Sequence, residues 1–311
     1  MKRISLASTL GLVVLLTTFA YASAQAVRTP RASQKASVTQ TVGVTDLTVT
    51  YSRPGVKGRV IWGDPPTTAT GTATLDNASQ RPKDAVLVPY GHVWRAGANE
   101  ATQFIVTDDV IVNGQPLKAG TYSLHMIPGR DEWTIIFNSD AGQWGSFSYD
   151  EAKDVLRIKA KPQTVSENQE WLLFSIDPVT ENSAQVSLQW EKLRVPFTVE
   201  IKDVNALTIA KARAAVAAAK PDDWRVPLQA ANFAFQNGTP QDREDAMRWV
   251  EQSIKAQETF QNMGAKARML AAQGKTQEAI AAGERALELG KAAKANTADL
   301  EKRLAEWKGK K

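Results

Sequence analysis

Side chains that could bind an anion or a flat ligand are concentrated in two stretches of this 311-residue sequence. The stretches cover residues 51–62 and 87–102, and both are rich in glycine, proline and aromatic residues. Guanidinium groups bind carboxylate, phosphate or sulfate through paired hydrogen bonds, and aromatic rings stack on sugars or aromatic ligands. The predicted ligand-binding residues are Arg53, Lys57, Arg59, Tyr90, His92, Trp94, Arg95, Asn99 and Glu100.

The same residues also have a purely structural interpretation. In that interpretation Arg95 and Glu100 pair with each other inside the protein, and Trp94 belongs to the hydrophobic core. Arginine–carboxylate pairs stabilise folds as well as ligands, so the residue types alone leave both interpretations open. We expect core packing for Trp133, Trp144, Trp171 and Trp190, with an aromatic binding platform as the alternative.

The two histidines of the sequence, His92 and His125, are the other candidates for chemistry. With Glu100 they supply the donors of a two-histidine, one-carboxylate metal site, and either could act as a general base. Their spacing matches no such motif, and the sequence lacks the Gly-x-Ser-x-Gly, His-Glu-x-x-His, Walker and Gly-x-Gly-x-x-Gly patterns. We therefore predict no catalytic residue, no metal site and no cofactor. Because His125 alternates with apolar residues, we predict that it faces solvent.

Several segments together resemble a bacterial family known as domain of unknown function 2911. These segments are Tyr51–Trp62, Leu87–Thr102, Lys118–Leu124, Trp133–Asn138, Gln143–Gly145 and Tyr149–Asp150. The resemblance covers about residues 36–203, and it implies a secreted β-rich module without implying an activity. In the family the glycine after Trp62 runs almost directly into the Leu87 segment, whereas here the polar segment Gly63–Ala85 intervenes. We predict a surface loop there, and the alternative is a lid over the neighbouring motifs.

The N-terminus has the pattern of a secretory signal peptide. Lys2 and Arg3 precede an apolar segment over 4–19, which is shorter than the ~20 residues of a spanning helix. Small residues at 22–24 predict cleavage after Ala24, and an uncleaved anchor is the alternative. The sequence therefore predicts a periplasmic or secreted protein without stable membrane insertion, in which residues 25–35 form a flexible leader.

Composition limits the partners and the means of stabilisation. The sequence contains no cysteine, so disulfides and thiolate chemistry are excluded and stability must come from core burial. The formal charge is +5, of which Lys2 and Arg3 contribute two charges. The remaining excess of +3 gives little attraction for a polyanion, and we predict no nucleic-acid partner.

Residues 36–203 alternate between apolar and polar types, which predicts antiparallel strands with one face in a core. The turn sequence Asn113-Gly114 lies between the segment 110–112 and a predicted strand that begins near Thr121. The turn sequence Pro128–Asp131 lies between that strand and the segment 133–137. We predict a β-sandwich or jelly-roll-like domain. The alternating inward positions include Leu47, Val49 and Tyr51; Tyr122, Leu124 and Met126; Ala184, Val186, Leu188 and Trp190; and Val195, Phe197, Val199 and Ile201.

Residues 204–311 change to an Ala-, Lys- and Glu-rich composition that favours helices. Helices are predicted over 206–220, 228–236, 243–257, 259–273, 276–290 and 297–307. Two helix pairs repeat at a spacing of roughly 35 residues, and the segment 267–280 resembles a tetratricopeptide repeat. The complete chain is therefore predicted to be α+β, with an all-α helical-repeat domain after the β domain. We predict that the two domains fold independently and that the division lies near Asp203–Ala206.

Together these patterns favour an exported, non-enzymatic binding or scaffold protein. The β domain would hold a small anionic or carbohydrate ligand, and the helical tail would bind a protein partner. The alternative is an extracytoplasmic hydrolase centred on His92 and Glu100.

Overall fold

The first part of the chain is built from strands, as the period-two pattern predicts. The structure is a computed structural model that describes residues 29–65 and 86–309, so the predicted signal peptide and most of the insertion over 63–85 lie outside the described residues. The strands are β1 Gln34–Val42, β2 Thr45–Arg53, β3 Trp62–Gly63, β4 Val88–Pro89, β5 Thr102–Val106, β6 Val110–Val112, β7 Gln115–Leu117, β8 Gly120–Ile127, β9 Trp133–Asn138, β10 Asp154–Ala160, β11 Gln163–Val179 and β12 Ser183–Glu200. The first strand therefore begins inside the predicted leader, at Gln34.

Two antiparallel sheets contain ten of these strands. One sheet has the order β1-β2-β5-β8-β9-β10, and the other has the order β11-β12-β6-β7. β3 and β4, which flank the insertion, form a short parallel pair. The inward residues of both sheets belong to one core, in which Phe104 of β5 and Phe137 of β9 contact Phe197 of β12. This arrangement is the predicted sandwich, and it forms because both sheets bury their apolar faces against each other.

β12 shows how the alternation can change phase within one strand. Even-numbered residues such as Leu188 and Trp190 are buried, and after residue 191 the odd-numbered Val195 and Phe197 are buried. Glu191 adopts φ 57°, and the pairing with β11 shifts register nearby. An irregular residue of this kind bends a strand and re-aims its side chains. The two predicted alternating segments are therefore one strand.

The Asn113-Gly114 turn joins β6 to β7. Its two residues have φ 44° and 80°, the left-handed conformation that a two-residue hairpin requires and that Asn and Gly tolerate. The sequence analysis placed this turn before a strand near Thr121, which is β8. That assignment is wrong, because the three-residue strand β7 comes first and belongs to the other sheet. The turn at Pro128–Asp131 joins β8 to β9, as predicted.

Six helices follow the sheets in the part of the chain that the structure describes, which confirms the α+β class. They are α1 Val204–Ala218, α2 Arg225–Asn237, α3 Pro240–Ala256, α4 Phe260–Ala272, α5 Thr276–Ala292 and α6 Ala298–Gly309. Side chains of Thr239 and Thr259 cap α3 and α4. α2 packs chiefly against α3, and α4 against α5. Assignment of these pairs to the tetratricopeptide class stays a prediction. No helix among the described residues has both the length and the apolar character that a membrane crossing requires.

α1 connects the two parts of the chain. Lys211 donates hydrogen bonds of 2.7 Å to the carbonyl oxygen of Val44 and of 2.7 Å to Asp108, and Val204 and Leu207 pack against the β core. The chain from Ser33 onward forms one compact unit. The prediction that β and helical parts fold independently therefore concerns stability, and it stays a prediction.

Candidate functional site

Polar side chains gather on the outer face of the six-stranded sheet, beneath the loop over 139–150. Along β8, Leu124 and Met126 enter the core, so the period-two geometry places Ser123 and His125 on the opposite face. Backbone hydrogen bonds tie the loop down, from Ala101 to the carbonyl oxygen of Gln143 at 3.0 Å and from Gly145 to that of Asn99 at 2.9 Å. The loop therefore covers a sheet face that the pattern alone assigns to solvent.

His125 lies at the centre of this covered network. Its Nδ1 is 2.9 Å from the hydroxyl of Ser146, its Nε2 is 3.1 Å from that of Ser123, and its ring lies against Tyr149. His125 and both serines are 0% exposed. The prediction that His125 faces solvent is wrong, because the loop seals it from water.

A second set of hydrogen bonds extends the network towards β10. Tyr149 donates a 2.6 Å hydrogen bond to Asp154, and Arg157 donates to both Asp154 and Tyr149 at 2.6 and 2.7 Å. Asn138 donates to the other oxygen of Asp154 at 2.8 Å. Burial, followed by the hydrogen bond to Asp154, raises the pKa of Tyr149, so its hydroxyl remains a donor. Each member therefore has a defined partner.

The electrostatics of His125 favour a structural role. Burial lowers its pKa to about 4, while the carboxylates of Asp154 and Asp140 oppose that shift only in part. The imidazole is therefore neutral at pH 7, and serine hydroxyls occupy both of its nitrogens. Neither serine reaches solvent, so this histidine–serine group offers no exposed nucleophile.

The sequence patterns did not indicate this network, although several of its segments carry the family resemblance. Asn138, Gly145 and Tyr149 belong to the segments that carry the family resemblance. The available signal was the polar pair Ser123 and His125 on one face of a strand, together with a short loop rich in glycine and aromatic residues. That signal cannot show which sheet face the loop covers.

The first three predicted ligand residues lie beside β11. Arg53 donates to the carbonyl oxygen of Leu172 at 2.8 Å, and Arg59 donates to that of Val56 at 3.1 Å. The backbone nitrogen of Lys57 donates to Glu170 at 2.9 Å, and the ammonium group of Lys57 lies 5.4 Å from the ring centre of Trp171. Local backbone and side-chain groups therefore engage all three cations.

Tyr90, His92 and Trp94 follow β4. The ring of Tyr90 lies against the guanidinium of Arg130, at 5.1 Å. His92 is buried, with Nδ1 2.9 Å from the carbonyl oxygen of Tyr90. Trp94 is also buried, and its ring packs on Trp62 and Trp190. In the described structure, two of these three aromatic groups therefore lie within the protein.

Arg95, Asn99 and Glu100 lie next to the covering loop. Asn99 adopts φ 60° and donates to the carbonyl oxygen of Ser33 at 3.0 Å. Arg95 is half-buried, with Nη1 close to Gly145, and Glu100 bridges to Trp144 through the backbone. Each of these two residues has an interaction partner within the protein. Ligand binding by the nine predicted residues stays a prediction.

His92 and Glu100 form no joint site in the described part of the chain. The Nε2 atom of His92 is buried and has no hydrogen-bond partner among the described residues, so it does not bond Glu100. Glu100 lines a small cavity of about 80 Å³ with Tyr51 and Gln103, and His92 is not part of that lining. No group of three or more His, Asp or Glu residues is arranged to hold a metal ion within the described ranges.

The tryptophans divide into two classes. Trp133 and Trp190 are each 1% exposed, which confirms the prediction of core packing. Trp144 and Trp171 are 52% and 40% exposed, so the same prediction is wrong for them. Trp144 lies in the covering loop, and Trp171 lies on β11 against Lys57. The four tryptophans therefore share a residue type but differ in burial, which only the fold decides.

A separate groove of about 450 Å³ lies among α2, α4 and α6. Leu228, Phe260 and Leu300 supply apolar surface, and Arg268 and Arg303 supply positive charge. Asp299 accepts a 2.8 Å hydrogen bond from Arg303. The volume lies in the range that holds small ligands.

Comparison with known proteins adds a family and no activity. A family model described as a protein of unknown function, DUF2911, matches residues 33–199, which are over half of the chain. This match confirms the resemblance of the sequence segments. No curated protein and no solved structure matches the chain.

Proposed function

This chain belongs to the DUF2911 family of proteins of unknown function, and we propose that it is a non-enzymatic binding protein that acts outside the cytoplasm. The sandwich serves as the rigid part, and the helical part supplies the binding surface. The observation that carries the proposal is the burial of both histidines of the sequence, in a chain without cysteine.

Burial of the imidazoles supports binding over acid–base or nucleophilic catalysis. General bases act by direct or water-mediated contact with the substrate, and His92 and His125 are 3% and 0% exposed. The partners of His125 are buried serines. The hydrolase centred on His92 and Glu100 therefore receives no support from these contacts.

The helical part supports binding through its open groove. Repeated helix pairs form concave surfaces that bind partners. Here the groove combines apolar residues with two arginines and one aspartate, so positive charge is in excess. A protein partner or a small anionic molecule fits such a surface. Weak net charge argues against a nucleic-acid partner.

The proposal of export depends on the sequence alone, because residues 1–24 lie outside the described residues. Lys2 and Arg3, the apolar segment and the small residues before Gln25 follow the pattern that signal peptidase reads. Intact-mass measurement of protein recovered from the periplasm or medium should give a chain that starts at Gln25. Recovery of material that retains Met1 to Ala24 would contradict export with cleavage.

A paired ligand and turnover screen tests the binding function. The mature chain is screened by thermal shift against peptides, small organic anions and oligosaccharides, and is assayed on nitrophenyl esters and glycosides. A ligand at 100 times its Kd should add about 2.7 kcal/mol to the unfolding free energy, without turnover. Turnover that is lost in both His92→Ala and Glu100→Gln would overturn the proposal in favour of the hydrolase.

A further inference from the structure

Arg268 is exceptional among the arginines of the helical part. Arg213, Arg248, Arg285 and Arg303 each pair with a carboxylate, and Arg225 and Arg243 each lie over an aromatic ring. Among the described residues, Arg268 has no hydrogen-bond, ion-pair or ring partner. A groove cation that forms no ion pair or hydrogen bond of its own favours an anion from outside.

The position of Arg268 is set by a glycine one helical turn earlier. A Cβ atom at Gly264 would lie 3.6 Å from Nη1 of Arg268, which is an ordinary van der Waals contact, and the atom it would meet outside the local helix backbone is this nitrogen. The guanidinium therefore lies back over α4, on the bare backbone of Gly264, and both residues line the groove. A side chain larger than alanine at 264 would extend into the groove beside the guanidinium.

The charges of the groove specify the charge of its ligand. The charged residues in its lining are Arg268, Arg303 and Asp299. Asp299 is paired with Arg303, so one positive charge is in excess. Desolvation by the groove wall, and then repulsion by Arg303, lowers the pKa of Arg268, while attraction by Asp299 opposes that shift. Arginine stays protonated at neutral pH in spite of such shifts, so a monoanion balances the groove.

The remaining lining specifies the body of the ligand. Leu228 and Leu300 are buried side chains at the groove wall, and Phe260 adds a partly exposed ring. Apolar walls with a few polar groups are typical of sites for small molecules. We propose that this groove binds a small organic monoanion, a carboxylate whose acidic group pairs with Arg268 and whose apolar or aromatic body lies on Phe260. The proposal rests on the proposed binding function and names its ligand class.

Calorimetric titration of the mature chain, residues 25–311, tests the ligand class. The probe is 3-phenylpropionate, and the matched control is its neutral amide, 3-phenylpropionamide. The acid should bind at least about tenfold more tightly than the amide, because only the acid brings a negative charge and two equivalent oxygens to the guanidinium. Added salt should weaken the binding of the acid and leave the binding of the amide unchanged.

Variants locate the site. Arg268→Gln should weaken the binding of the acid at least about tenfold. It should leave the thermal midpoint unchanged, because the side chain is exposed and has no partner to lose. Arg243→Gln, an exposed arginine outside the groove, should bind as the wild type does. Gly264→Leu should remove binding of acid and amide alike, since it fills the groove.

The outcomes separate this inference from the binding function itself. Equal affinity for acid and amide, or wild-type affinity in Arg268→Gln, would overturn the assignment of a carboxylate to Arg268. Failure of the acid to bind, while neutral peptides or sugars stabilise the chain, would overturn the ligand class and leave the binding function intact. Binding of acidic peptides without binding of the free acid would replace the small ligand by a protein partner.

Discussion

Large side chains stabilise the sandwich, and small side chains stabilise the contacts between the helices. Phenylalanine and tryptophan rings, such as Phe104, Phe197 and Trp190, fill the space between the two sheets. Alanine and glycine, such as Ala231, Ala279 and Gly290, occupy the contacts between helices. Sheets in a sandwich lie ~10 Å apart and need large groups, whereas small residues let helices approach closely. We therefore expect the sandwich to be sensitive to lost volume and the helices to added volume.

The two parts also differ in how they use polar groups. In the sandwich, the buried side chain of His125 hydrogen-bonds to Ser146, and that of Asn138 hydrogen-bonds to Asp154. In the helical part, Arg268 remains at the wall of an open groove. Buried networks stabilise a fold when every member is satisfied, while an unmatched charge is available to a ligand. We therefore expect the buried network to contribute to stability, and we propose that the helical part binds a ligand.

Loss of volume in the sandwich should have the largest effect. Phe104→Ala removes a fully buried ring that contacts both Phe137 and Phe197, so we expect a loss of about 3–5 kcal/mol in unfolding free energy. Urea titration of the full mature chain measures it. Val60→Ala, at a position that is 68% exposed, is the control and should change stability by under about 0.5 kcal/mol. Equal losses of unfolding free energy in the two variants would contradict the interpretation that Phe104 fills the space between the sheets.

The buried histidine should make the sandwich sensitive to acid. The unfolded chain takes up a proton near the ordinary pKa of 6.5, and the folded chain does so only near 4. Stability that is fully present above pH 6.5 is therefore lost as the pH falls towards 4, by an amount on the order of 3 kcal/mol. Urea midpoints of the wild type and His125→Gln at pH 7.5, 6 and 5 measure it. The prediction fails if the variant, although weaker overall, loses stability with acid as steeply as the wild type.

Two glycines should respond in opposite directions to the same added methyl group. A Cβ atom at Gly290 would lie 2.7 Å from Thr297 and 2.9 Å from Phe260, so Gly290→Ala should destabilise by about 1–3 kcal/mol. Gly264 has room for a Cβ atom, so Gly264→Ala should stabilise α4 by about 0.5–1 kcal/mol. Thermal midpoints of the two variants provide the comparison. Equal shifts of one sign would show that helix propensity, and not close packing, decides both.

The contact between α1 and the sandwich should contribute least to the unfolding free energy. Lys211 pairs with Asp108 across α1 and the sandwich, but it is partly exposed, so Lys211→Ala should cost about 1 kcal/mol or less. Residues 25–204 expressed alone should then give a cooperative melt with a β-type circular dichroism spectrum. Aggregation of this fragment would show that the helical part completes the β core, and the predicted division near Asp203–Ala206 would be wrong.

Much of the fold could be predicted because its signals are local. Alternation in β2 and β8, the Pro128–Asp131 turn and the alanine-rich helices each depend on residues close together in sequence. The errors have the same origin. The phase change at Glu191 looked like two strands, and the short β7 carried too few residues for a pattern. The buried His125 alternates as an exposed residue does, because alternation assigns two faces without showing what covers them.

The sequence by itself determined the α+β class, the order of strands and helices and the family, since composition and periodicity express short-range conformational preferences. Only the tertiary structure decided which polar groups are satisfied. The loop over 139–150 folds across β8 and encloses His125, while the packing of α2, α4 and α6 leaves Arg268 beside a groove. Burial and pairing depend on residues far apart in the chain, and a histidine or an arginine looks the same in sequence whether a neighbour covers it or not.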